Sequence, residues 1–157
     1  MSPSVPSANS KTLRGSADAS PLHRNGFADS YAYGVDIAPG LLGQASLVVG
    51  DRDTAVALGS GDVDVLGTPR VVALCEGATV AALADRLDEG QTTVGTRVEL
   101  DHLRASKVGD RIDATATLTV VDGNRLTFEV AASDGEHVVA RGIVVRAVID
   151  RARFSKS

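Results

Sequence analysis

Residues 68–87 read TPRVVALCEGATVAALADRL, and this stretch decides the fold. Threonine is a good helix N-cap and proline is favoured in the first helical turn, so Thr68 and Pro69 predict that a helix begins there. The apolar spacing continues to about Leu87, and Gly90 follows as a stop signal. The segment is apolar on nearly every side, which is typical of a helix covered by a sheet and by a partner subunit.

Two sides of this helix differ in character. At about 100° per residue, Glu76 shares its side with four apolar residues: Val72, Val80, Leu83 and Leu87. The opposite side carries only small residues: Ala73, Gly77, Ala81 and Ala84. This pattern predicts that a sheet approaches the helix closely on the side of the small residues.

After the helix the sequence changes to four runs rich in β-branched residues, each predicted to form a strand: residues 92–103, 111–121, 124–133 and 137–149. Asp122-Gly123 and Asp134-Gly135 separate the last three runs, and Asp-Gly is a strong hairpin signal because both residues tolerate positive φ. The last three strands are therefore expected to form an antiparallel meander. Before the helix, residues 44–49 are predicted as a strand, and residues 54–58 as its continuation or partner.

This order of elements, one strand, one long helix and then four strands, predicts an α+β domain with the helix lying on an antiparallel sheet. A chain of 157 residues is long enough for one ordinary domain. Residues 1–29 are rich in serine, proline and alanine and have no apolar period, so they are predicted to be a disordered or poorly ordered tail. Residues 30–157 are predicted to form the single domain.

Charge and composition argue against several classes of function. The formal net charge is −4 and basic residues form no sustained run, so binding to nucleic acid is not expected. Cys75 is the only cysteine and no metal-ligand spacing is present, so neither a disulfide nor a metal site is expected. No run approaches the roughly 20 apolar residues of a membrane span, and the N-terminus lacks the apolar region of a signal peptide. We therefore expect a cytoplasmic protein that does not associate with a membrane.

Glu76 is the first polar residue that needs an explanation, because an isolated carboxylate on an apolar helix face is expensive to bury. One interpretation is structural: an arginine or backbone amides would satisfy the charge. The other is functional: a carboxylate held in an apolar pocket serves as a general base or a nucleophile. The sequence alone leaves both open. Cys75 beside it is interpreted as a small core residue, since nothing nearby would activate its thiol.

His102 and Thr68 are the next candidates. Counting alternate residues places His102 on the strand face that is expected to look inward, together with Val94, Thr96, Val98 and Leu100. A lone histidine of this kind is more often a satisfied core residue than a catalyst. Thr68 serves either as a simple helix cap or, beside the free amides of the helix N-terminus, as part of a site for an anionic oxygen. Thr68 and Glu76 are about 12 Å apart along a helix axis, so they can border one ligand without touching each other.

The order and spacing of these residues resemble the hot-dog fold, and within it the fluoroacetyl-CoA thioesterase-like family. That family has a threonine at the start of the central helix and a glutamate eight positions later, which fall on Thr68 and Glu76. It has a glycine followed seven positions later by a histidine on the next strand, which fall on Gly95 and His102. Its arginine on the last strand falls on Arg146, in the run RAVID. The resemblance covers about residues 43–154.

This resemblance implies a fold, an activity and a site. The fold is a hot-dog, an antiparallel sheet wrapped around one long central helix. The activity is hydrolysis of an acyl-CoA thioester by a homodimer, with the acyl pocket at the subunit interface and higher oligomers left open. Catalytic roles are implied for Thr68, Glu76 and His102, and substrate-binding roles for Arg146 and the backbone N–H of Gly95. CoA is part of the substrate, and no separate cofactor or metal is implied.

The sequence departs from the family pattern at two places, and these leave the identity of the acyl group open. Many relatives carry a Thr-His pair before the final arginine, where this chain has Ile143 and Val144. Relatives often have a second acidic residue after the helix glutamate, where this chain has Gly77. Two other functions remain alternatives: a non-catalytic module that binds acyl thioesters, and a hot-dog hydratase or dehydratase. Whether CoA or a carrier protein bears the acyl group is also left open.

Overall fold

The computed structural model describes residues 37–155. The predicted tail, residues 1–29, and the first residues of the predicted domain lie outside this range. Five strands form the frame: β1 (Leu42–Val48), β2 (Gln91–His102), β3 (Arg111–Asp122), β4 (Arg125–Ser133) and β5 (Val138–Asp150). The helices are a 3-10 turn (Asp51–Asp53), the short α1 (Ala55–Leu58), the long α2 (Thr68–Ala82) and the short α3 (Arg151–Phe154).

The five strands form one antiparallel sheet in the order β1-β3-β4-β5-β2. The predicted meander of β3, β4 and β5 is confirmed. Helix α2 packs most extensively against β1 and β3 and also contacts the other three strands, so the sheet curls around it. The α+β class and the sheet wrapped around one central helix are therefore as predicted.

Alternating burial along β3 and β4 builds the sheet side of the core. Every second residue is buried along β4 and along β3 as far as Leu118, and the largest are Ile112, Leu118, Leu126 and Phe128. The helix side is supplied by α2 through Val71, Leu74, Cys75, Ala78 and Ala82. Burying each large aliphatic or aromatic side chain stabilises the fold by about 1.5–3 kcal/mol, so the helix is held mainly by this face.

The side of α2 that meets the sheet is not the predicted one. Three of the four small residues expected to face the sheet are exposed: Ala73, Ala81 and Ala84. The closest approach instead involves Gly43 on β1, where an added Cβ would overlap the Ala78 carbonyl oxygen and the Ala82 nitrogen. The glycine that permits close packing lies on the strand, which the helix pattern alone did not reveal.

The N-terminus of α2 differs from the prediction by one residue. The N-cap is Gly67, Thr68 is the first helical residue, and no side chain makes a capping hydrogen bond. A Cβ at Gly67 would lie 3.0 Å from Leu58 Cδ1 and 3.1 Å from Ala55 Cα, so close packing against α1 favours glycine at the cap. The Thr68 hydroxyl is therefore available for a contact outside its own helix.

The C-terminus of α2 comes earlier than predicted. The helix ends at Ala82 rather than near Leu87, because Leu83 departs from helical geometry with φ −101° and ψ 5°. Asp85 then adopts a positive φ of 60°. Leu87 still packs against the core from the following turn, which explains why its apolar spacing suggested a longer helix.

The segment predicted as a strand over residues 54–58 is helix α1, so that prediction is wrong. Thr54 is its N-cap and accepts a hydrogen bond from the Ala57 N–H at 3.2 Å. Gly59 ends the helix in the left-handed region, with φ 68°. Over so few residues the apolar pattern does not distinguish a helix from a strand. The two capping residues, Thr54 and Gly59, favour the helix.

Strand β2 contains a bulge that changes which residues face the helix. Its pairing with β5 shifts at Thr96, which is the extra residue. Before the bulge, Gly95 faces α2, and after it Leu100 and His102 do. The prediction that Val94 and Thr96 share the inward face with His102 is therefore wrong. One extra residue reverses the alternation of side chains between the two faces of the sheet. Gly95 and His102 therefore lie on the same face, although an odd number of positions separates them.

Candidate active site

The first pair of candidate residues joins the start of the helix to the end of a strand. Thr68 begins α2 and His102 ends β2. The Thr68 hydroxyl lies 2.9 Å from His102 Nδ1, a hydrogen bond whose direction depends on the histidine tautomer. The other ring nitrogen, Nε2, is buried and has no hydrogen-bond partner within residues 37–155. A buried ring nitrogen of this kind is uncommon in a purely structural histidine, which favours a functional role.

The second pair is an ion pair between the helix and the last strand. Glu76 Oε1 lies 3.6 Å from Arg146 Nη1, and the side chains are 33% and 7% exposed, respectively. Burial lowers the pKa of Arg146, and the neighbouring Glu76 carboxylate opposes that shift. Arginine stays charged even so, because its pKa starts far above neutrality. The carboxylate is thus paired with an arginine, as the structural interpretation expects, and its side chain remains partly exposed.

Two threonines hold Arg146, and neither of them stood out in the sequence. The arginine Nε donates to Thr93 Oγ1 at 2.8 Å, and Nη2 donates to the Thr93 carbonyl oxygen at 3.0 Å. Its Nη1 donates to Thr79 Oγ1 at 3.4 Å, and Thr79 is fully buried. The available signal was Thr79 itself, a polar residue one helical turn after Glu76 within an otherwise apolar stretch.

Gly95 completes the group around the carboxylate. A Cβ added there would overlap Glu76 Oε1 and would lie 3.8 Å from Arg146 Nη1. Gly95 is also the direct cross-strand neighbour of Arg146 in the pairing of β2 with β5. Glycine is therefore favoured at this position by the space that the carboxylate needs.

The five predicted residues form two separate groups along α2. Thr68 and His102 line an open pocket of about 270 Å³ at the start of the helix. Glu76, Gly95 and Arg146 form the second group further along, and no hydrogen bond joins the two groups in the described part of the chain. A ligand that lies along the helix would therefore touch both groups, whereas a small one would reach only one.

Cys75 belongs to neither group. Its side chain is fully buried, and burial raises the pKa of the thiol from 9.0 to about 11. A thiol that is so hard to ionise is a poor nucleophile at neutral pH, in line with its interpretation as a core residue. Between residues 37 and 155, no three His, Cys, Asp or Glu side chains are grouped as metal ligands. In that same range no helix is long and apolar enough to cross a membrane.

Solved structures with the same architecture identify the class of protein. A solved structure of a fluoroacetyl-CoA thioesterase matches with a TM-score of 0.71 and 30% identity, over 76% of this chain and 93% of that chain. A thioesterase superfamily member from Thermus thermophilus matches with a TM-score of 0.70 over 76% of this chain and 88% of that chain. Its identity is 23%, so it supports the fold alone. The fold is that of the hot-dog thioesterases.

The family follows from the sequence comparison. The model of the fluoroacetyl-CoA-specific thioesterase family matches residues 49–152, and the chain belongs to this family. The fluoroacetyl-CoA thioesterase of Streptantibioticus cattleyicolor is 36% identical over 92 residues, which is 59% of this chain and 66% of that protein. The family expected from the resemblance is thereby confirmed. The roles of the individual site residues stay predictions, which the contacts described above support.

Proposed function

We propose that the protein hydrolyses an acyl-CoA thioester to the free acid and CoA, with Glu76, His102 and Thr68 performing the chemistry. The observation that carries this proposal is the setting of the Glu76 carboxylate. Its side chain is 33% exposed and pairs with the buried Arg146. Gly95 leaves the space that its Oε1 occupies. A carboxylate that is paired with a buried arginine and stays partly exposed suits attack on a carbonyl carbon or activation of water.

Glu76 is proposed to act by one of two routes. As a nucleophile, a carboxylate oxygen attacks the thioester carbonyl carbon, the C–S bond breaks, and CoA departs as the thiolate. An acyl–glutamyl anhydride forms on the enzyme, and water then hydrolyses it. As a general base, the carboxylate takes a proton from the water that attacks the same carbon. Hydroxylamine separates the routes, because it converts an anhydride at Glu76 into a hydroxamate on that side chain. Mass spectrometry of the trapped enzyme detects this product.

His102 is proposed to transfer the proton, and Thr68 is proposed to orient His102 and to polarise the carbonyl oxygen. The Thr68 hydroxyl orients the ring through Nδ1, which leaves Nε2 to protonate the leaving thiolate or to take a proton from water. Either Thr68 and the N–H groups at the start of α2, or the N–H of Gly95 in the other group, are proposed to polarise the carbonyl or hold the oxyanion. An extended thioester lying along α2 would reach both groups. Arg146, beside Glu76 Oε1, would then lie near the bound thioester.

A homodimer is proposed to complete the acyl pocket at the subunit interface. Strand β2 is an edge strand, so its outer edge is open to pairing with another chain. Apolar side chains on and near it are exposed, namely Val98 at 37%, Leu103 at 50% and Val80 on α2 at 52%. Light scattering after size-exclusion chromatography tests this state and reports any higher oligomer. We expect a dimer for the wild type and dissociation in Val80→Lys, whereas a monomeric wild type contradicts the dimer.

The substrate is proposed to be a small or medium acyl-CoA, with a carrier-protein thioester as the other possible acyl donor. Fluoroacetyl-CoA is the substrate in the name of the Streptantibioticus relative, so it is one candidate among several. Hydrolysis by a carboxylate and a histidine uses only water, so no cofactor is proposed beyond the CoA of the substrate. The cytoplasm is the proposed location, since the free and buried Cys75 suits a reducing compartment.

Thiol release from a panel of acyl-CoAs tests the function. The panel runs from acetyl and fluoroacetyl to long-chain and aryl thioesters, each assayed with wild type and with Glu76→Gln. Glutamine keeps the shape of the side chain and removes its charge, so we expect kcat to fall by about 10²–10⁴-fold while the protein stays folded. Glu129→Gln is the matched control, because Glu129 is exposed on β4 and belongs to neither active-site group.

Near-normal turnover in Glu76→Gln would contradict the assignment of Glu76. Measurable binding of acyl-CoA without turnover by the wild type would favour the non-catalytic binding module. Consumption of an enoyl-CoA with no thiol release would favour the hydratase or dehydratase alternative.

A further inference from the structure

We propose that Thr79 and Thr93 are positioning residues, which hold the guanidinium of Arg146 where it fixes the Glu76 carboxylate. This inference rests on the proposed function of Glu76. Arginine has a long and flexible side chain, so without fixed partners its head group would sample many positions. Arg146 is 6% exposed, so those partners come from the protein rather than from bulk solvent.

The donors of Arg146 are distributed in a way that fixes its plane. A guanidinium carries five N–H donors in a planar fork. Thr93 receives two of them, with its hydroxyl oxygen 2.8 Å from Nε and its carbonyl oxygen 3.0 Å from Nη2. Thr79 Oγ1 receives a third from Nη1 at 3.4 Å. All three nitrogens are thereby engaged, and Nη1 is the one that lies 3.6 Å from Glu76 Oε1.

The Thr79 hydroxyl connects Arg146 to the helical turn that carries Glu76. A hydroxyl has one proton to donate, and Thr79 donates it to the Glu76 carbonyl oxygen at 2.6 Å. Its oxygen therefore meets Nη1 as an acceptor. This chain of contacts ties the backbone of Glu76, the threonine and the guanidinium together, so the guanidinium keeps a constant position relative to the helical turn that carries the carboxylate.

The Glu76–Arg146 separation makes this support important. At 3.6 Å the ion pair is longer than a charge-assisted hydrogen bond, so the pair does not fix its own geometry. A misplacement of about 1 Å at a reacting group can lower a rate about 100-fold. Loss of either threonine hydroxyl is therefore expected to lower kcat. The KM should change little, because neither threonine is proposed to touch the substrate.

The experiment compares three threonine variants in the purified full-length protein, with the best acyl-CoA of the panel as substrate. Thr79→Val keeps the side-chain shape and removes the hydroxyl, and we expect kcat to fall about 10–100-fold with KM unchanged. Thr79→Ser restores the hydroxyl and is expected to recover most of that loss. Thr119→Val is the matched control, because the Thr119 hydroxyl donates to the Thr127 carbonyl oxygen at 3.1 Å outside the site.

A second comparison separates positioning from general damage to the fold. In a Glu76→Gln background, Thr79→Val is expected to lower the residual rate no further, because the charge that it positions is gone. A purely structural defect would lower the rate by the same factor in both backgrounds. If Thr79→Val does not fold, as judged by circular dichroism, Thr93→Val carries the same expectations. In that variant the main-chain carbonyl contact of Nη2 is retained.

The outcomes distinguish this inference from the proposed function. If Glu76→Gln loses activity but Thr79→Val behaves like Thr119→Val, the positioning role is wrong and the function of Glu76 stands. The positioning role is also wrong if serine at position 79 does not recover the activity that Thr79→Val loses. If the wild type hydrolyses no thioester, the proposed function is wrong and the positioning role fails with it.

Discussion

Glu76 Oε1 occupies the space beside Gly95 in which any larger residue would place its Cβ. This contact depends on the bulge at Thr96, which lets Gly95 face α2 while His102 keeps the same orientation further along the strand. In a regular strand, two residues an odd number of positions apart point to opposite faces. The bulge therefore allows one strand to support both groups of the candidate site.

Gly95→Ala is predicted to reduce activity with little loss of stability. The added Cβ would overlap the end of the flexible Glu76 side chain, which can move away without disturbing the backbone. The carboxylate would then leave its place beside Arg146, and we expect kcat to fall about 100-fold. Steady-state kinetics and thermal unfolding of the same sample measure the two effects. Gly50→Ala is the control, because a Cβ there would meet only Asp53 Oδ2, at 3.5 Å.

Thr68→Val is predicted to lower kcat about 10- to 100-fold, through the loss of the hydrogen bond to His102 Nδ1. Thr68→Ser keeps a hydroxyl at the same position and should retain most of the activity. Stability should change little in both variants, since Thr68 is exposed and is not the helix cap. Thr115→Val, an exposed substitution on β3, controls for the loss of a surface hydroxyl. Equal rates in Thr68→Val and Thr115→Val would show that the hydroxyl has no catalytic effect.

Much of the fold could be predicted from the sequence because its signals are local. The Asp-Gly pairs at Asp122 and Asp134 indicate hairpins, and period-two runs of β-branched residues indicate strands. The mutual arrangement of Glu76 and His102 could not be predicted in that way. It depends on the extra residue at Thr96, and a bulge leaves the strand propensity of a run unchanged.

The elements that were predicted wrongly are those decided by tertiary contacts. The formation of helix α1 and the choice of Gly67 as the N-cap of α2 depend on each other, because Gly67 packs against Ala55 and Leu58 of α1. The buried face of α2 depends on Gly43, a strand residue that approaches the helix backbone. Thr79 was missed for a similar reason: its partner Arg146 is distant in sequence, and only the fold brings the two together.

Gly43→Ala and Gly77→Ala are predicted to change stability in opposite directions. The Cβ at Gly43 would overlap backbone atoms of Ala78 and Ala82, so helix and strand must move apart, at a cost of about 3 kcal/mol. The Cβ at Gly77 would meet only Ala45 Cβ, at an ordinary 3.7 Å. Alanine is a better helix former than glycine, so this variant should gain about 0.5–1 kcal/mol. Urea unfolding at equilibrium measures both, and a shift of the same sign in the two variants would contradict this packing.

The stability of the protein is predicted to fall between about pH 9 and pH 11 through Cys75. In the unfolded chain the thiol loses its proton near its ordinary pKa of 9.0, whereas burial raises the pKa in the folded chain to about 11. Across this range the folded state binds more protons than the unfolded state, so the free energy of unfolding decreases as the pH rises. The full effect is on the order of 3 kcal/mol, since one pKa unit corresponds to about 1.4 kcal/mol.

Cys75→Ala provides the comparison, because it removes this thiol and leaves every other titrating group in place. The variant should be less stable than the wild type at pH 8, where the buried sulfur still packs in the core. Its free energy of unfolding should then fall less steeply than that of the wild type towards pH 11. Parallel curves for the two proteins, measured by urea unfolding at each pH, would show that the thiol ionises equally in the folded and unfolded states.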